Sequence, residues 1–129
     1  MKGHSMRALT VNAETLETTL IDLPREGGLA QLQREVGGYI EAVRLEEFDF
    51  YLNEEGKMIG LPLNEVGTLL WESVYGQTDV IMGNIVVVGK PDDEGYETEL
   101  SLESAQEIQN IAITLQVTRF GNALMARGN

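Results

Sequence analysis

The chain predicts a single α+β domain, an antiparallel or mixed sheet with two or three helices packed against it. Three observations carry this. Short β-branched or alternating runs recur along the chain. Glycine, asparagine and proline punctuate them. Two stretches switch to helical spacing, one of them opened by a capping asparagine.

Met6–Val11 reads as the first strand and Glu17–Leu23 (ETTLIDL) as the second, with Asn12–Thr15 as the turn between them. Pro24-Arg25-Glu26-Gly27-Gly28 breaks the pattern. Leu29, Leu32 and Val36 then form the i, i+3, i+7 stripe of a short helix, and Gly37-Gly38 stops it. Tyr39–Leu45 and Phe48–Leu52 are the next strands. Asn53–Lys57 reads as the turn of a hairpin whose second arm is Met58–Leu61. Asn64 is placed to cap a helix running to Tyr75, with Val66, Leu69, Leu70 and Val74 inward and Trp71 at the edge. Val80–Met82 continues as an extended piece. Ile85–Val88 has four consecutive β-branched residues and no polar face, which calls for cover on both sides. Ser101 caps a further helix through Ile108. Ile111–Phe120 fits a strand by alternation and a helix by the spacing of Ile108, Ile111 and Leu115, and both readings stay open.

The domain is placed at residues 6–120. Residues 1–5 read as an expression leader before Met6, and 121–129 as a mobile polar tail.

Composition excludes several chemistries. There is no cysteine, and the one histidine, His4, falls in the leader. A Cys/His zinc site, a cysteine nucleophile and a Ser-His-Asp arrangement are therefore not available. Nine basic residues against 21 acidic ones give a net charge of −12. Phosphate neutralisation needs clustered Lys and Arg, so direct nucleic-acid binding and docking on an anionic membrane are not expected. No apolar run approaches the roughly 20 residues of a spanning helix. These features lead to the expectation of a cytoplasmic protein that is not an enzyme and has no cofactor or metal.

Four motifs stand out: Gly37-Gly38-Tyr39-Ile40-Glu41, Asn53-Glu54-Glu55-Gly56-Lys57, Gly60-Leu61-Pro62-Leu63-Asn64 and Gly83-Asn84-Ile85-Val86-Val87-Val88-Gly89. The series resembles a family of small proteins from bacteriophages, plasmids and bacteria catalogued only as a domain of unknown function. The resemblance runs roughly from Met6 to Glu107. It implies a domain and no particular reaction.

Candidate sites follow from residue type. Gly37-Gly38 could offer amide groups to an anion, but a helix stop accounts for it more simply. Asn53, Glu54 and Glu55 carry oxygen ligands without the spacing of a calcium loop, and suit a solvated turn. Asp92, Asp93, Glu94, Glu97, Glu99, Glu103 and Glu107 form the strongest feature, an acidic surface suited to a basic host or phage protein. Solvated surface charge is the plainer account. Tyr39, Asn64, Trp71 and Asn84 are nominated as the lining of a small-ligand pocket, for a metabolite or nucleotide. Packing and capping compete for each of them. No carboxylate pair stands out for acid–base work, so a carboxylate-only metal hydrolase ranks third. The working expectation is a mobile-element protein that occupies a macromolecular partner stoichiometrically. A homo-oligomer would be served by Ile111–Phe120 acting as a sheet edge.

Overall fold

The computed structural model describes residues 5–128. The strands are β1 (Ser5–Val11), β2 (Thr18–Pro24), β3 (Ile40–Arg44), β4 (Phe48–Asn53) and β5 (Ile85–Gly89). The helices are α1 (Gly28–Val36), α2 (Glu65–Tyr75) and α3 (Leu102–Arg127). The five strands form one antiparallel sheet in the order β2-β1-β5-β4-β3. The α+β reading holds, and the sheet is antiparallel throughout.

β5 is central, and every residue in it is buried. The two-residue period of a strand sends Ile85 and Val87 to one face and Val86 and Val88 to the other. Ile85 and Val87 join Leu9, Val11, Phe50, Leu70 and Ile108 in the core under α2 and α3. Val86 and Val88 join Ala8, Leu23, Leu32 and Val36 in a smaller core under α1. The run without a polar face is thus covered on both sides, as its composition required.

The β1–β2 hairpin turns where expected. Asn12 Oδ1 accepts from the amides of Glu14 and Thr15, both at 2.9 Å. Leu16 adopts φ 65°, rare for a branched side chain, and is fully buried in the larger core. Gly37 closes α1 in the left-handed conformation at φ 80°, with its amide donating to Gln33 O. Asn64 caps α2 by accepting from Gly67 N at 2.9 Å.

Three readings of the sequence are corrected, and one that stayed open, Ile111–Phe120, is decided. Met58–Leu61 is not a strand: 54–60 is a run of turns, and Met58 and Ile59 are exposed. β4 already pairs with β3 on one side and β5 on the other, so no edge is left for that arm. Val80–Met82 makes only an isolated bridge, from Met82 to Leu63. Ile111–Phe120 is helical and continues α3, which runs unbroken to Arg127, so it offers no sheet edge. Leu29, Leu69 and Val74, assigned to buried helix faces, are exposed at 56%, 43% and 36%. Of the residues 1–5 expected as a leader, 1–4 lie outside the described residues, and Ser5 opens β1.

The four motifs meet in pairs. Asn53, first residue of the NEEGK motif, lies under Gly38 of GGYIE and donates from Nδ2 to Val36 O at 3.2 Å. Asn64, last residue of GLPLN, donates from Nδ2 to Gly83 O of GNIVVVG at 2.9 Å and to Val11 O at 3.2 Å. The motifs are therefore joints between elements.

Candidate functional site

Antiparallel topology sorts the loops. β1 and β4 begin, and β2, β3 and β5 end, at one end of the sheet. The β3–β4 turn with Glu46 and Glu47, the 90–100 loop and the start of α3 all gather there. Lys90 ties the first two together, donating from Nζ to Leu45 O at 2.8 Å. Asp92, Asp93, Glu94, Glu97, Glu99 and Glu103 thus share this end, with Glu107 one turn further along α3.

The predicted acids differ in what they do. Asp92 builds its own loop: its Oδ1 accepts from Glu94 N at 2.9 Å and Tyr96 N at 3.0 Å. Glu99 accepts from Arg7 N and pairs with the Arg7 guanidinium at 3.4 Å. Glu97 is half-buried, and burial pushes its carboxyl above the ordinary value, opposed by nearby Arg44 and reinforced by Asp49. Asp93, Glu94, Glu103 and Glu107 are exposed, and no ion pair holds them among the described residues.

A groove of about 340 Å³ opens between the β3–β4 turn, α2 and α3. Leu45, Phe48, Leu70 and Ile111 form its apolar floor, and Glu46, Glu47 and Glu107 stand at its rim. Among the described residues none of these three carboxylates has a cation partner. Exposed Leu69 and Val74 extend the apolar surface beside it. Apolar floor and anionic rim together suit a segment that is apolar on one side and carries Lys or Arg on the other.

Sequence reasoning missed Glu46 and Glu47, which fall between the strands predicted at Tyr39–Leu45 and Phe48–Leu52, and it missed Asp49. The Asp49 side chain is fully buried, ion-paired to Lys90 at 2.6 Å and to Arg44. It lies on the α1 face of the sheet, beside Val88, where alternation with Phe48 and Phe50 would have left a polar side chain facing solvent. Local alternation carries no signal for its burial, which comes from the cover on the α1 face of the sheet.

The four residues nominated for a ligand pocket are not brought together. Tyr39 is exposed beside the α1 C-terminus. Asn64 is buried as the cap of α2. Trp71 stacks on Tyr75 with ring centres 4.3 Å apart and donates from Nε1 to Thr78 at 3.0 Å. Asn84 accepts from Ala13 N at 2.9 Å. A separate cleft of about 370 Å³ lies between α1 and the sheet, lined by Leu23, Leu32, Ile40, Tyr51, Tyr96 and Glu97. No group of three or more metal-ligating side chains occurs among the described residues, and no helix there is long and apolar enough to cross a membrane.

Fold and surface together define a small acidic α+β domain whose acidic β3–β4 turn and 90–100 loop share one end of the sheet. The chain belongs to the DUF3846 family, described as a domain of unknown function, whose model matches residues 6–112. No curated protein and no solved structure matches it.

Proposed function

We propose that this protein is a non-catalytic interaction protein of a phage or other mobile element, acting in the cytoplasm by occupying a basic protein partner stoichiometrically. The observation that carries the reading is the groove. Glu46, Glu47 and Glu107 rim an apolar floor and have no cation of their own among the described residues. Unpaired carboxylates around buried apolar contacts give an approaching basic segment both steering and desolvated area. The exposed Asp93, Glu94 and Glu103 extend the same field along that end of the sheet.

The test is capture from nuclease-treated bacterial extract, read by mass spectrometry. A protein retained at equal stoichiometry by the natural chain, and lost by the Glu46→Gln/Glu47→Gln/Glu107→Gln variant, supports the reading. Retention should also fall steeply with salt. A partner held equally by the variant rules out the groove as the docking site.

The cleft beside α1 favours a second reading, a small-ligand protein. Its size is within the range of ligand sites, and it combines Tyr51 and Tyr96 with one carboxyl, Glu97. A metabolite or nucleotide bound there should raise the melting temperature by mass action and be indifferent to the groove substitutions.

A further inference from the structure

The second half of α3 leaves an apolar stripe without a partner among the described residues. Ile113, Val117, Phe120 and Leu124 are exposed at 54%, 65%, 66% and 49%. Their spacing is 4, 3 and 4. At 100° per residue they fall within about 60° of arc, turned roughly 150–170° from Ile108 and Leu115, which pack on the sheet. The stripe is therefore no continuation of the core face. Arg119, on the inner side, is held by Glu65 and donates to Glu14 O at 2.7 Å, which keeps the stripe outward. The family match ends at Ala112, so the stripe lies beyond it.

We infer that a second copy of this chain covers the stripe, α3 against α3 in antiparallel orientation. The 4-3-4 spacing is that of a two-helix seam, and such a seam is self-complementary. Charge points the same way. The protein carries −12, so two copies repel at most surfaces, yet residues 108–129 contain no acid and only Arg119 and Arg127. Setting Val117 opposite the second copy's Phe120 sets Ile113 opposite Leu124. The end layer then places Arg127 of each copy beside Asn110 of the other, within about one helical turn of Glu107. A parallel pair would instead bring the two acidic ends together. The four side chains leave on the order of 400 Å² of apolar surface per copy, or about 800 Å² in the pair, below the roughly 1,200 Å² of a standard stable interface. The dimer is accordingly a concentration-dependent one.

Sedimentation velocity of the full chain from about 2 to 500 micromolar reads this directly, since a micromolar constant falls inside that span. The natural chain should pass from monomer to dimer. Val117→Glu and Phe120→Glu should each weaken association at least 30-fold, while circular dichroism and thermal unfolding show the domain intact. Arg127→Glu should weaken it about tenfold, because it places a like charge within about one helical turn of the second copy's Glu107. A monomer across the whole range overturns the proposal, as does a dimer unaffected by Val117→Glu. A dimer that ignores Arg127→Glu overturns the antiparallel register.

Discussion

Gly38 lies over the carboxamide of Asn53: a methyl group on Gly38 would stand 2.8 Å from Nδ2. The same carboxamide donates to Val36 O at 3.2 Å and accepts from Glu55 N at 2.8 Å. One buried side chain therefore joins the end of α1 to the end of β4, and Gly38 is the space it needs. Gly89 is tighter still, since a methyl there would meet Glu99 O at 2.5 Å and Thr98 O at 2.7 Å.

These two glycines should rank differently. At Gly38 the obstacle is the end of a side chain, which moves at the loss of its hydrogen bonds. At Gly89 it is backbone on the neighbouring loop. Gly38→Ala should destabilise by about 1–2 kcal/mol, and Gly89→Ala by about 2–3 kcal/mol or more. Urea unfolding measures both, and a smaller effect at Gly89 would contradict the packing described.

Asn64 should behave as a structural residue. Asn64→Ala removes the α2 cap, about 1 kcal/mol, and the two buried bonds its Nδ2 donates to the carbonyls of Val11 and Gly83, for a total of about 2–4 kcal/mol. Asn84→Ala removes one half-buried acceptor and should cost about 1 kcal/mol. Partner capture at a temperature where both variants are folded should be unchanged.

Asp49 is a buried anion whose two cations reach solvent. Asp49→Ala leaves Lys90 and Arg44 free to hydrate, so the loss should be about 1–3 kcal/mol, less than for a pair buried on both sides. Asp49→Asn keeps an acceptor and should lose less. Equilibrium denaturation of the two variants side by side decides this ordering.

Glu97 gives a pH dependence of definite sign. Burial raises its carboxyl in the fold above the ordinary value of 4.5. The folded state therefore holds this proton more tightly than the unfolded chain. Its contribution to stability declines as pH rises from the ordinary value through the raised one, and the penalty is complete above that. Glu97→Gln should raise the melting temperature at pH 7, with the difference fading as pH falls below about 4. A variant less stable than the parent at pH 7 would show that attraction to Arg44 outweighs burial.

Much of the fold is legible locally. The Asn12 turn, the Gly37 stop, the Asn64 cap and the doubly covered β5 are each set by side-chain chemistry within a few residues. The false second arm at Met58–Leu61 was locally sound too. It failed because both edges of β4 were taken by β3 and β5, which no local pattern reveals. The candidate site was half legible. The acidic run from Asp92 to Glu107 reads off directly, but Glu46 and Glu47 join it only because antiparallel pairing folds their turn beside it.

Sequence alone determined the class of this protein: its composition, its strand and helix periods, its caps and the acidic surplus on its loops. These depend on intrinsic conformational preference and on charge, which act within a turn or a strand. Tertiary structure decided which carboxylates are spent on internal pairs and which face solvent. It also decided that Ile111–Phe120 is helix, since Ile108, Ala112 and Leu115 find the sheet at helical spacing while alternation would need an edge strand as neighbour. Burial is a property of what the rest of the chain brings alongside, and only the assembled sheet specifies that.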